Sequence, residues 1–367
     1  MDTSDPSIIF DTGGVCNHYT DFHRYVKPRW HTGPEGRREL QTAVTAIKQA
    51  GKGRDFDCIM GLSGGADSSY MLHMMVTEFG LRPLVFHVDG GWNSELATHN
   101  INNLIDKLGL DLYTEVINWE EMRDFQLAMF KSGVPHIDIP QDMAFIGVLY
   151  KFASAHGIKY ILNGGNISTE CVMRPLQFIY WGTDMAQIRD IVARYGSLPM
   201  RTYPFSSIFY HKFYLRYLRG VKVFKPLNFM PYIKRDAMVL MEREYGWKPY
   251  PQKHFESRFT RFFEGYWLPT RFGFDMRRVD LSSLILTGQM TREEALAKLE
   301  QPAYDPELIR QDFDYIATKL GISTDELRDY HEMPKKFYWD YRNQRRIFEL
   351  GEWVLSRFAG ARRGGAF

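Results

Sequence analysis

One stretch of the chain, Ser63-Gly64-Gly65-Ala66-Asp67-Ser68-Ser69, combines the residue types that hold a phosphate. Two adjacent glycines let the backbone approach an anion closely, and the amides of a helix starting at Asp67-Ser68 point at it with the helix dipole behind them. Ser63 and Ser68 add hydroxyl donors, and Ser69 closes the stretch. The apolar run Cys58-Ile59-Met60-Gly61-Leu62 leads into it as a strand would. The spacing is neither Gly, four residues, Gly-Lys-Ser/Thr nor Gly-x-Gly-x-x-Gly, which excludes the two commonest nucleotide loops. The plainer alternative is a tight Gly-Gly turn in which Asp67 caps the helix that follows.

The elements that must position this loop follow from periodicity. Arg37 to Lys52 reads as a helix, Asp57 to Leu62 as a strand, Ser68 to Phe79 as a helix and Leu84 to Asp89 as a strand. A helix over Ser94 to Leu108, a strand over Leu112 to Ile117, a helix over Asp142 to His156 and a strand over Lys159 to Asn163 continue the alternation. Such alternation specifies a doubly wound parallel α/β sheet, whose ligands bind beyond the carboxyl ends of the strands. Three strand ends carry turn or polar residues there: Leu62-Ser63-Gly64, Asp89-Gly90-Gly91-Trp92 and Asn163-Gly164-Gly165-Asn166. The aromatic stretch Phe205 to Tyr217 is either a buried helix or a contact surface. A strand over Val221 to Phe224 and a helix over Lys234 to Tyr245 follow. From Lys248 onward, amphipathic helices over Thr291 to Leu299 and Pro306 to Leu320 indicate a helical carboxyl-terminal region.

The string Ser63 to Ser68 resembles the PP-loop of the ATP pyrophosphatases, which cleave ATP between its α and β phosphates to adenylate a substrate oxygen. The resemblance implies a sheet of the adenine nucleotide alpha hydrolase-like type, with ATP and Mg²⁺ as cofactors. It places Ser63, Gly64, Gly65, Asp67, Ser68 and Ser69 around the phosphates, with Asp67 either capping the helix or meeting the Mg²⁺. Asp89 and Gly90 match the edge that reads adenosine, unless they form only an Asp-Gly turn. Gly164, Gly165 and Asn166 match the wall beneath the nucleotide. In this family a Pro-Leu element, here Pro226-Leu227, precedes a phosphate-contacting lysine. That implies a catalytic role for Lys234, with Lys225 as a second candidate, in offsetting charge on departing pyrophosphate; the alternative for Lys234 is a surface lysine. Glu170, after Thr169, either faces the adenylate or is a helix-start carboxylate. Cys171 has no second cysteine placed to resolve a disulfide and reads as structural.

Beyond the loop, the chain is similar to the N-acetyl sugar amidotransferases of bacterial surface-polysaccharide and nonulosonic-acid pathways. The residues that carry this run from Met1-Asp2-Thr3-Ser4-Asp5-Pro6 through Asn163-Gly164-Gly165-Asn166 to Lys253-His254-Phe255-Glu256-Ser257-Arg258-Phe259-Thr260, Leu268-Pro269-Thr270-Arg271-Phe272-Gly273 and Leu281-Ser282-Ser283-Leu284-Ile285. Such enzymes activate an acetamido oxygen with ATP and let ammonia displace AMP, leaving an acetamidino group. The resemblance implies that separate glutaminase and cyclase-like subunits, similar to those of histidine biosynthesis, deliver the ammonia. His254, Arg258, Arg261 and Arg271 are the expected contacts to a nucleotide-linked acetamido sugar, the alternative for the arginines being structural ion pairs. Relatives of this type begin with a Cys-x-x-Cys pair and have a second around the position of Cys16, together suited to zinc. Here Tyr19 stands where the last cysteine would be, and Cys16 with His18 or His23 is an incomplete set. Either structural zinc is absent or the recorded start falls short of the true one.

Composition narrows the alternatives. Among 367 residues, Lys plus Arg number 46 against 44 Asp plus Glu, a net +2 that gives no electrostatic case for nucleic acid. This weighs against a tRNA-modifying PP-loop enzyme of the thiolation or lysidine type. A noncatalytic adenine-nucleotide-binding regulatory subunit would not require the pyrophosphate cradle. No stretch approaches the roughly twenty apolar residues of a membrane helix, and the amino end is polar, so the expected compartment is the cytoplasm. The expected organisation is an irregular segment over 1–35, a nucleotide domain over 36–247 and a helical substrate or partner domain over 248–367, ending in a disordered tail at Arg362-Arg363-Gly364-Gly365.

Overall fold

The computed structural model describes residues 1–358, so the expected tail at Arg362 to Gly365 lies outside the described residues. Its centre is a sheet of β1 (Cys58–Gly61), β2 (Pro83–Asp89), β3 (Leu112–Val116), β4 (Tyr160–Leu162) and β5 (Lys222–Phe224). The strands lie in the order β3-β2-β1-β4-β5, and every adjacent pair is parallel. After β3 the chain crosses back to the other side of β1, so strand order reverses between β1 and β4. That reversal opens a crevice beyond their carboxyl ends.

The sheet is wound on both faces. Side chains alternate along a strand, so Cys58 and Met60 of β1 enter one apolar core while Ile59 enters the other. The first core is closed by the helix Pro34–Ala50 through Leu40, Val44 and Ile47, by Ala66–Thr77 through Met71, Leu72 and Met75, and by Lys234–Tyr245 through Met241. Leu40, Val44 and Ile47 recur at helical spacing, and burying each is worth about 1.5–3 kcal/mol relative to exposure. The second core joins Ile59, Phe86 and Ile161 of the sheet to Phe125 and Met129 of the helix Trp119–Ser132. It continues without a break into Phe259, Trp267, Phe274, Ile316 and Leu327 of the helical carboxyl-terminal region. That region therefore packs directly on one face of the sheet.

The helices Lys234–Tyr245 and Pro306–Leu320 fall where the periodicity puts them. Trp119–Ser132 lies outside the alternation read from the sequence; it buries Met122, Phe125 and Met129 at helical spacing, and its acidic residues are buried too: Glu121 Oε1 accepts from the amides of Arg201 and Thr202 at 2.8 and 2.9 Å, and Asp124 accepts from the amides of Ser197 and Leu198. The aromatic stretch at Phe205 to Tyr217 contains a wide π-type helix, Tyr210–Leu218, in which Leu215 is buried and Phe213 and Tyr217 are exposed, as is the neighbouring Phe209. At the amino end, Cys16 is a free cysteine, and His18 Nε2 lies 2.7 Å from Asp5 Oδ2. Among the described residues, the group that brings metal-ligand atoms together is His31, Glu35 and Glu39, on or beside the start of the Pro34–Ala50 helix. No helix of the described residues is long and apolar enough to cross a membrane.

Candidate active site

The crevice at the strand-order reversal is a cleft of about 1360 Å³, and the glycine loop forms part of its wall. Gly64 has a φ of +83° and a β-carbon there would lie 2.9 Å from the Ala97 carbonyl, so glycine is required on both counts. A β-carbon at Gly65 would lie 2.0 Å from Glu256 Oε1. The Gly64 carbonyl accepts hydrogen bonds from Trp247 Nε1 at 2.9 Å and the Tyr250 hydroxyl at 3.1 Å, both residues of the cleft lining. Ser63 and Ser68 line the cleft with their hydroxyls 3.1 Å apart.

The helix Ala66–Thr77 starts with Gly65 at its N-cap and no side chain capping it. The alternative of an Asp67 cap is therefore not realised, and the first-turn amides have no side-chain partner, as at an anion-binding helix start. Asp67 instead accepts a short hydrogen bond from the Tyr232 hydroxyl and faces the cleft. Ser69, expected at the phosphates, is buried with its hydroxyl unpartnered and does not line the cleft. Successive helical positions point about 100° apart, so Ser68 and Ser69 cannot share a face.

The ends of β2 and β4 supply the opposite walls in a different way from the one the sequence implied. Asp89 closes its own turn, with Oδ1 accepting from the Gly91 amide at 2.7 Å and from Asn93 Nδ2 at 3.2 Å, and Gly90 packs beneath Met122 and Phe145. Neither lines the cleft; Phe86, His87, Val88 and Asn93 do. At β4, Gly164 and Gly165 line it as expected. Asn166 is fully buried and braces the turn, with Oδ1 accepting from the Thr169 amide and Nδ2 donating to the Gly164 carbonyl.

A cluster of charges faces the loop. The Lys253 ammonium donates to Glu170 Oε1 at 2.7 Å and Thr169 Oγ1 at 3.2 Å, and lies 3.5 Å from Asp67 Oδ2. Burial opposes the charge on Lys253, but the Glu170 and Asp67 carboxylates outweigh it and hold the ammonium above its usual range. Burial likewise opposes the charge on Glu170, and Lys253 outweighs it, keeping the carboxyl below its usual range. Lys234 lines the cleft from the first turn of its helix, its amide held by Gln289 Oε1 at 2.9 Å. Lys225 stands behind the wall, where its ammonium would be 3.5 Å from a β-carbon at Gly165. Burial brings it down to about 8 against the opposing pull of Glu170.

His254 lines the cleft with its Nε2 3.2 Å from an Arg174 guanidinium nitrogen. Burial, then Arg174 and Lys253, hold its imidazole neutral. Among the described residues it is the non-glycine residue with a positive φ, 65°, a strain of order 1–3 kcal/mol that the surrounding cluster must hold in place.

The expected arginines are elsewhere. Arg258 and Arg261 both pair with the buried Asp312, with closest approaches of 2.7 and 2.6 Å, and the Arg258 guanidinium lies 3.6 Å from the centroid of Tyr315. Arg271 is 3% exposed, donates to the His331 carbonyl and lies over the rings of Trp267 and Phe272. None of the three lines the cleft. Their neighbours Phe259, Phe262 and Trp267 take the face of the helix that meets the core, which turns Arg258 and Arg261 toward Asp312 on Pro306–Leu320. The cleft's cations include Arg174, Lys234 and Lys253 instead. Lys253 has a signal in the polar spacing Lys253-His254-Phe255-Glu256, whereas Arg174 and Tyr232 are single polar residues in apolar or turn contexts.

Comparison with known proteins finds a match for part of the chain. A family model described as "LPS biosynthesis protein WbpG-like, C-terminal domain" matches residues 256–355. No curated protein matches the chain. Among solved structures, an NH3-dependent NAD synthetase from Campylobacter jejuni is 13% identical, covering 82% of this chain and 98% of that one at a TM-score of 0.31. An NMN synthetase from Francisella tularensis is 14% identical over 78% of this chain and 97% of that one, at a TM-score of 0.37. The U34-tRNA thiolase NcsA from Methanococcus maripaludis, solved with its 4Fe–4S cluster, is 13% identical over 77% and 80%, at 0.35. Similarity at this level bears on neither substrate nor partner.

Proposed function

We propose that this cleft performs ATP-dependent amidation of an N-acetyl sugar in the synthesis of a lipopolysaccharide O-antigen or related glycan. The observation that carries the reading is the uncapped glycine loop at the strand-order reversal, faced by Lys234 and by the Lys253–Asp67–Glu170 cluster. The family match over residues 256–355 supports a role in lipopolysaccharide synthesis.

The acetamido oxygen attacks the α-phosphorus of ATP, the amide nitrogen loses its proton and pyrophosphate leaves. Ammonia then adds to the imidate carbon, the carbon–oxygen bond breaks, and AMP departs from the amidinium product. An amide oxygen is a weak nucleophile, so the protein's task is to align it and to stabilise charge on the phosphates. The Gly64–Gly65 backbone and the first-turn amides hold the phosphates, Lys234 offsets the charge of departing pyrophosphate, and Lys253 holds Asp67 and Glu170 in register. Mg²⁺ arriving with ATP would meet Asp67 and supply Lewis acidity to the phosphate oxygens. Separate glutaminase and cyclase-like subunits supply the ammonia.

The test is incubation of the chain with ATP, free ammonium and a panel of free, UDP-linked and CMP-linked acetamido sugars. The expected outcome is AMP and pyrophosphate together with a sugar in which the acetamido oxygen has become an NH group. Pyrophosphate release with tRNA and with no sugar would replace this reading by a tRNA-modifying one. ATP binding without turnover on any substrate would make the chain a regulatory subunit.

A further inference from the structure

A second group of polar side chains lines the same cleft, outside the glycine loop and the Lys253 cluster. His136, Asp138, Asp142 and Glu264 lie along it, with the aromatic rings of Phe145 and Phe263 among them. Glu264 is 8% exposed, and its carboxyl makes no hydrogen bond or ion pair among the described residues. Its charged neighbours are Arg174, Asp280, Asp138 and Asp142, and burial, the largest influence, raises its carboxyl well above the usual range. His136 is 4% exposed, its Nε2 is 3.6 Å from Asp142 Oδ2, and its Nδ1 has no partner. Asp138 is already satisfied, accepting from Gln141 Nε2 at 2.5 Å and the Thr260 hydroxyl at 2.7 Å, so it makes that wall rigid.

A buried carboxyl without a partner costs stability, and an apolar residue of similar size would remove the cost. A fold that keeps Glu264 and His136 unsatisfied beside a cleft leaves them for something that enters it. These groups do not converge on one point: among the described residues, the metal-binding arrangement is at His31, Glu35 and Glu39. A single small cation, whether a metal or ammonium, therefore has no nest of three ligands here. A larger ligand with several separated donors and an apolar face fits the spread of acceptors and the two rings.

We propose that this part of the cleft is the subsite for the hydroxyl-bearing ring of the acetamido sugar, with Glu264 and His136 hydrogen-bonding its hydroxyls; the inference rests on the amidation reading above. It makes 136–142 and Glu264 determinants of which sugar is accepted.

Glu264→Leu tests it directly. The variant is expected to melt at or above the temperature of the unaltered chain, while the KM for the sugar rises about tenfold or more and those for ATP and ammonium stay within about twofold. A rise in the KM for ammonium in place of the sugar, or no change in either, overturns the subsite. A second measurement uses the unaltered chain and so does not depend on how the variant folds. Calorimetry without ATP or ammonium compares a UDP-linked N-acetylhexosamine with its deoxy analogues. Loss of about tenfold in affinity on removing one hydroxyl supports the subsite, and equal affinity across the series, or no binding, overturns it. Pyrophosphate release that ignores the acetamido group would instead sink the amidation reading, leaving the deoxy series to judge the subsite.

Discussion

The glycine loop and the three arginines between Arg258 and Phe272 both offer groups suited to binding phosphate, yet only the loop lines the cleft. In the loop, the helix Ala66–Thr77 begins without a side-chain cap, so its first amides have no intrahelical or side-chain partner. Of the three arginines, Arg258 and Arg261 converge on Asp312, and Arg271 is buried away from the cleft, one nitrogen donating to the His331 carbonyl while its Nε and Nη2 have no hydrogen-bond partner. What distinguishes the loop from the arginines is therefore that its unpartnered groups border the cleft, more than the charge either carries. Glu264 and His136 follow the same rule as the loop.

The largest expected effect separates the two regions by stability. Asp312→Ala leaves two guanidinium groups without their buried counter-charge and should cost about 3–5 kcal/mol, read by denaturant unfolding. The KM for ATP of the folded fraction should not move; a changed KM with unchanged stability would put Arg258 and Arg261 back in the site. Asp67→Ala should do the reverse. It removes a carboxylate that lines the cleft, so on the proposed mechanism pyrophosphate release should fall about 10²–10³-fold while thermal melting stays close to the unaltered chain. Normal release by this variant removes Asp67 from the mechanism. Arg271→Lys, smaller still, loses planar contact with Trp267 and Phe272 and should lower stability by about 1–2 kcal/mol with turnover intact, as measured by melting and steady-state rates.

The sheet and the loop are legible in the sequence because their determinants are local. A buried parallel strand such as Cys58–Gly61 is a short apolar run, and the glycine pair follows it at once. The helix Trp119–Ser132 offers the same local signal in Met122, Phe125 and Met129; what its sequence hides is that Glu121 and Asp124 are buried as well, accepting from amides 80 and 73 residues away. The same holds for the site. Tyr232 reaches Asp67 across a separation of 165 residues, and Arg258 finds Asp312 across 54. A run of Lys, His and Arg shows that charge is present, and only the tertiary contacts show which of those charges are already paired. The direction of Ser69, one residue beyond Ser68, depends on where the helix begins, and a motif read as a string does not specify that.

The mildest prediction concerns pH, and it tests whether the loop's surroundings are tuned for anions. Glu256 Oε1 sits against Gly65, and burial raises its carboxyl to about 7, with Lys234 and Lys253 opposing that rise. Below that pH the group is neutral beside the phosphates; above it, a carboxylate repels them. ATP affinity should therefore decline as pH passes 7, and Glu256→Gln should remove most of the decline. The linkage to folding has a matching sign. A carboxyl raised in the folded state favours the protonated protein, so its contribution to stability is full below the unfolded value near 4.5 and is lost as pH rises toward 7. Glu256→Gln should flatten stability across that window, measured by unfolding at successive pH values. An ATP affinity that rises through pH 7 would mean that the carboxylate, charged, is holding a cation against the phosphates, and the contrast between an anion-seeking loop and a self-paired arginine segment would then have to include a metal.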